Sequence, residues 1–166
     1  MKNRPRLQIP LKRSDYIIES LCLLALAGIW FLAFYKYHIL PEEIPTHYNG
    51  SGKADAFGSK EYLITLPIVA TVLYLFLSIF QKFPHMYNYM VKITEANAYR
   101  QYQLATRMMR ILKLCCVLIF AGIIYLSVES TLNKTYELNG WFIPVIIILP
   151  LVPLIYYFNA SSKHEK

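Results

Sequence analysis

The sequence predicts an all-α integral membrane protein with four transmembrane helices, an ordered outer loop and a cytoplasmic amphipathic helix. Three observations carry this. The chain holds four mostly apolar runs, each near the ~20 residues that a helix needs to cross a bilayer. Charged residues make up only 16% and hydrophobic ones 56%, whereas an ordinary soluble domain carries about 25% charged residues. The charges that remain are clustered between the runs, with the basic excess on alternate connections.

The first run extends from Tyr16 to Tyr37, with Glu19 near its start and a charge-free centre from Ser20 to Tyr35. It is longer than the ~7–15 residues of a signal-peptide core. The bulky Phe34-Tyr35-Lys36-Tyr37 follows in place of a small-residue cleavage site, so a retained helix is expected. The second run extends from Tyr62 to about Phe83, and the third from Ile111 to about Val128, with Lys113 close enough to its start to snorkel. The fourth, Trp141 to Phe158, contains Pro144, Pro150 and Pro153. Neighbouring helices can satisfy the carbonyls that proline frees, which allows a kinked span; a re-entrant loop is the open alternative.

The chain therefore divides into a basic cytoplasmic tail (1–15), a three-helix block (16–130) and a last part (131–166). The block contains the outer loop 38–61 and the amphipathic helix 94–110, and the last part is the fourth transmembrane segment with a short cytoplasmic tail.

The net charge of +7 raises the question of nucleic acid. The Lys and Arg residues flank apolar spans instead of forming one folded basic face with interleaved aromatics, so no nucleic-acid partner is expected. They act as topology signals. Lys2, Arg4, Arg6, Lys12 and Arg13 precede the first span, and Lys82, Lys92, Arg100, Arg107 and Arg110 lie in the second connection. The first connection balances Lys53 and Lys60 with Glu42, Glu43, Asp55 and Glu61, and the third has Lys134 alone. The positive-inside rule then puts both termini and the second connection in the cytoplasm of a cell-membrane protein. Cys22, Cys115 and Cys116 all fall in apolar runs, so no disulfide framework is expected.

In the second connection, Thr94 followed by Glu95 makes a helix start. Ala98, Tyr102, Ala105, Met109 and Leu112 then share one face, opposite Arg100, Gln103, Arg107 and Arg110. Such a helix lies against the inner leaflet before turning into the third span. Arg100, Arg107 and Arg110 are the candidates for anionic lipid headgroups, at about 1 kcal/mol each; the alternative, that they only set topology, stays open.

The outer loop is the most distinctive stretch. Pro41 and Pro45 restrict its backbone, Asn49-Gly50 and Ser51-Gly52 are turn signals, Gly58 offers a further bend, and Ile44, Tyr48 and Phe57 can form an apolar cap. Its candidate binding residues are His47, Asn49, Asp55 and Lys60. His47 and Asp55, with His38, Glu42 or Glu43 nearby, are of the types that hold zinc, but at no recognised spacing. Whether they bind a metal or only hydrogen-bond within the loop stays open. No catalytic residue and no cofactor are expected, because the centres of the spans hold no ionisable group; Glu19, Lys113 and Glu129 fall near span ends.

The same loop closely resembles the family known as domain of unknown function 1648, a module also found at the front of bacterial SdpI-type immunity proteins. The resemblance rests on Leu40-Pro41, Ile44-Pro45, His47, Asn49, Gly52, Asp55 and Gly58-Ser59-Lys60. It extends over about residues 20–125 through Phe83-Pro84, Asn88-Tyr89, Thr94 and Asn97. It implies a multi-pass bacterial membrane protein that recognises a ligand or toxin at the outer face without enzymatic chemistry. The partners expected are the lipid bilayer, a peptide or envelope ligand outside, and a protein partner in the membrane. Alternatives are an accessory subunit of a transporter or other complex, and a metal-dependent membrane enzyme.

Overall fold

Four helices and one small hairpin make up the protein, seen in a computed structural model that describes residues 4–162. Lys2 and the tail 163–166 lie outside the described residues. The order is α1 (Arg13–Tyr37), β1 (Glu43–Tyr48), β2 (Ala54–Ser59), α2 (Tyr62–Phe80), α3 (Ala98–Leu132) and α4 (Phe142–Ser162). A short 3-10 turn, Pro84–Met86, lies between α2 and α3. All four helices are long and apolar enough to cross a membrane. Apolar side chains also cover the outside of the bundle, with Leu24 and Phe31 each 69% exposed. A soluble protein rarely shows so continuous an apolar surface.

α1 starts where Asp15 accepts a hydrogen bond from the Lys12 backbone N–H at 2.8 Å. The carboxylate sits in the first turn, at the positive end of the helix dipole. α2 tolerates Pro67 in its interior, and Thr71 uses the turn that follows. The Thr71 hydroxyl donates to the Pro67 carbonyl at 2.7 Å and accepts from the Trp30 indole N–H at 3.0 Å, tying α2 to α1. α4 is one unbroken helix of 21 residues, about 31 Å long at 1.5 Å per residue. Pro144 falls in its first turn, where a backbone N–H has no helical partner to lose. A continuous helix takes the place of the re-entrant alternative.

α3 is the centre of the bundle and packs on α1, α2 and α4. Its 35 residues correct two expectations. The amphipathic stretch does not turn before the third span; it runs straight into it, because no Gly or Pro interrupts residues 98–121. The helix also begins at Ala98 and not at Thr94, since the Asn97 side chain holds the preceding turn: it accepts the Thr94 N–H at 2.9 Å and donates to the Lys92 carbonyl at 3.0 Å. At about 52 Å, α3 exceeds the ~30 Å of a hydrocarbon core.

The all-α expectation is corrected at the loop, which is a two-stranded antiparallel sheet. Ile44 pairs with Gly58, Pro45 with Phe57 and Tyr48 with Ala54, and irregularities flank His47. Gly58 leaves the room this pairing needs: a Cβ there would meet Thr46 Cγ2 at 3.1 Å and the Tyr62 ring at 3.3 Å.

Candidate functional site

At the hairpin end, the Asn49 side chain organises the turn. Its Oδ1 accepts the Ser51 N–H (3.0 Å), the Ser51 hydroxyl (2.7 Å) and the Lys53 N–H (3.1 Å). Lys60 closes the base of the hairpin, with its ammonium 2.8 Å from Glu42 Oε1 and over the Tyr37 ring. The hydrogen bond with Glu42 holds the Lys60 pKa above the ordinary lysine value. Asn49 and Lys60 thus hold the fold of the loop.

His47 and Asp55 come together across the strands, Nδ1 to Oδ1 2.5 Å, on the outside of the hairpin with side chains 66% and 43% exposed. Among the described residues they have no third His, Cys, Asp or Glu with which to build a metal site.

The hairpin is fixed to the bundle on two sides. Tyr48 hydrogen-bonds Ser130 of α3 at 3.0 Å. The connection after α3 runs along the hairpin: the Ala54 N–H donates to the Tyr136 carbonyl, and the Leu138 N–H to the Gly52 carbonyl at 2.7 Å. Gly52 has φ +84°, and a Cβ there would lie 2.9 Å from the Leu138 carbonyl oxygen, so glycine is required on both counts. Ile44 is buried in the main core, whereas Phe57 is exposed and meets the Tyr136 ring edge-on. The expected apolar cap is therefore only partly formed.

Beneath the hairpin lies a crevice of about 340 Å³. Leu66 of α2, Ile123 of α3, and Ile143 and Ile146 of α4 form its apolar walls, with Ile44 and His47 at the hairpin side.

The opposite end of the bundle holds a second polar assembly, built around α3. Lys113 does not snorkel. It is 1% exposed, and its ammonium donates to Glu19 Oε2 at 2.6 Å and Ser78 Oγ at 2.8 Å and lies over the Tyr74 ring. Arg110, 7% exposed, places Nε 3.5 Å from Glu19 Oε1. Gln81 donates to the same oxygen at 3.3 Å. One turn away, Arg107 pairs with Asp15 at 3.4 Å and hydrogen-bonds Ser14. Arg107 and Arg110 are thus engaged with α1 carboxylates, and Arg100 is exposed on the first turn of α3.

The N-terminal segment forms a strap over this end. Arg4 donates to the Tyr87 carbonyl at 2.5 Å and lies over the Tyr89 ring, while Ile9 packs beside Val91, Ile93 and Tyr102. Tyr87 is buried and Tyr89 half-buried, and they donate to the Phe80 and Pro84 carbonyls. Burial pushes both phenol pKa values up. Between strap and bundle is a cavity of about 500 Å³. Sequence reasoning did not find this assembly, although Glu19 and Lys113 were both visible as charges near the same end of their spans.

Residues 23–71 match the family model of the Domain of unknown function (DUF1648). The match takes in most of α1, the whole hairpin and the first half of α2, including His47, Asn49, Asp55 and Lys60. It does not reach the inner connection and α3, to which the resemblance was extended, nor Glu19, Arg110 and Lys113. An uncharacterized protein of the archaeon Archaeoglobus fulgidus is 26% identical over 167 residues, covering 92% of this chain and 90% of its own length. No solved structure matches. The motif in the hairpin and the family match coincide: His47, Asn49, Asp55 and Lys60 all lie within residues 23–71, the part of this chain that is similar to DUF1648.

Proposed function

We propose that this is a multi-pass membrane protein that works by binding, without enzymatic chemistry, and that its hairpin faces outward to receive an amphipathic ligand. The observation that carries the reading is the apolar crevice beneath a rigid hairpin, with the polar His47–Asp55 pair beside it. Such a site accepts an apolar segment from the side and a polar group at the hairpin, with a few polar groups in a mostly apolar pocket setting orientation. The hairpin is anchored to α3 and to the connection after it, so the site is preformed. The resemblance to the front of SdpI-type proteins makes a secreted peptide toxin the first ligand to try. The basic residues on the strap and inner connection support cytoplasmic termini.

The test is survival. Cells lacking the chain are expected to become sensitive to a co-produced peptide, and the wild-type gene to restore resistance. Ile146→Trp, which fills the crevice from α4, is expected not to restore it. Unchanged survival of the deletion strain would remove the immunity role, and full rescue by Ile146→Trp would remove the crevice from it.

A further inference from the structure

The cavity at the strap end lies away from the hairpin, and three features mark it as a site in its own right. Its volume, about 500 Å³, is within the ~300–1,000 Å³ of small-molecule sites. Its walls are two-natured: Leu7, Ile9 and Leu11 of the strap with Pro84 supply apolar surface, while Arg110 and Lys82 supply two positive charges against the one carboxylate of Glu19. The charge in its floor is also unbalanced. Two buried cations, Arg110 and Lys113, share the single carboxylate of Glu19. Lys113 satisfies its donors on Glu19 and Ser78. Arg110 does not: its buried Nε faces Glu19 Oε1 at 3.5 Å, an ion-pair contact without hydrogen-bond geometry, and the side chain lines the cavity. A buried cation in excess of its counter-ions is costly, and an anion placed beside it removes that cost.

We infer that this cavity binds an amphipathic anion, a carboxylate or phosphate head carried on a single acyl chain. The head meets the Arg110 guanidinium and the Lys82 ammonium, in the charge-assisted geometry that arginine favours. The chain lies along Leu7, Ile9 and Leu11. Arg4, fixed on the Tyr87 carbonyl and the Tyr89 ring, keeps the strap in place over it.

The experiment uses the full chain in a neutral maltoside detergent, titrated with dodecyl phosphate or dodecanoate and read by native mass spectrometry. One saturable equivalent is expected. Binding of either probe supports the inference, and the tighter of the two names the head group. Arg110→Gln is expected to weaken binding about tenfold or more, the loss of one charge-assisted hydrogen bond. Leu11→Trp, a change at an exposed position on the cavity rim that leaves the core intact, is expected to block binding. Equal binding of dodecyltrimethylammonium, equal affinity for inorganic phosphate, or unchanged binding in Leu11→Trp would each overturn it. The hairpin reading is unaffected by any of these results.

Discussion

Glu19→Ala is expected to destabilise the protein by about 3–5 kcal/mol, the cost of removing one partner from a buried ion pair. Here a single carboxylate serves two cations, so its loss leaves both Lys113 and Arg110 uncompensated. Lys113 has no route to water at 1% exposure, and its remaining contacts, Ser78 and the Tyr74 ring, carry no negative charge. Against a typical stability of about 5–15 kcal/mol, that loss is large. Thermal unfolding of the purified chain in detergent should show a correspondingly lower midpoint. Glu19→Leu combined with Lys113→Met and Arg110→Met should recover most of the loss, because apolar side chains of similar volume often replace a buried ionic cluster without cost. Glu19→Leu with Lys113→Met alone still leaves Arg110 unpaired. A Glu19→Ala midpoint equal to wild type would mean that the cluster does not form.

The second large effect is steric. Gly122 lies where α3 meets the first turn of α4, and a Cβ there would be 2.5 Å from Phe142 Cε2 and 2.7 Å from its Cζ. Phe142 is buried, so its ring cannot swing into open space. Gly122→Ala is expected to cost about 1–3 kcal/mol, the usual range for overpacking. The strain should appear as a loosened α4, with faster proteolysis of the 133–141 connection. Phe142→Leu in the same chain should reverse it. The far end of α4 should hold, since Gln101 and Ser161 exchange two buried hydrogen bonds there, at 2.6 and 3.2 Å. Unchanged proteolysis in Gly122→Ala would show that α4 does not dock on α3 at this point.

These effects fall on different parts of what the sequence disclosed. The apolar runs were plain because bilayer crossing imposes length and composition. Tyr62 is the first residue of α2 as expected, and α4 starts one residue after the expected Trp141. The ordered loop was legible from its prolines and turn signals, but its strands were not. Each is only six residues long, and Pro45, Ala54, Asp55 and Gly58 have weak strand preference. Pairing with the connection after α3 supplies support that no local pattern shows.

The strap-end cluster was hidden for another reason. Glu19 and Lys113 are 94 residues apart in sequence, and each alone looks like a charge at a span boundary. Their opposite signs near the same end of two spans were the available signal. The expected apolar face of the inner helix was right at Ala98, Tyr102 and Ala105. It missed that Gln101, Thr106, Arg110 and Lys113 are buried as well, because a hydropathy pattern cannot see polar side chains that are buried by pairing with one another.

The proposed arrangement has four crossings by the four helices that are long and apolar enough for them, with the hairpin on one side of the membrane and the strap and the connection before α3 on the other. Cysteine accessibility in intact cells tests this most directly. With Cys22, Cys115 and Cys116 replaced by alanine, single cysteines are placed at Gly50 in the exposed hairpin turn and at Lys92 in the inner connection. A membrane-impermeant maleimide should label Gly50→Cys in intact cells and Lys92→Cys only after the membrane is opened. Labelling of both positions in intact cells, or of Lys92→Cys alone, would contradict it.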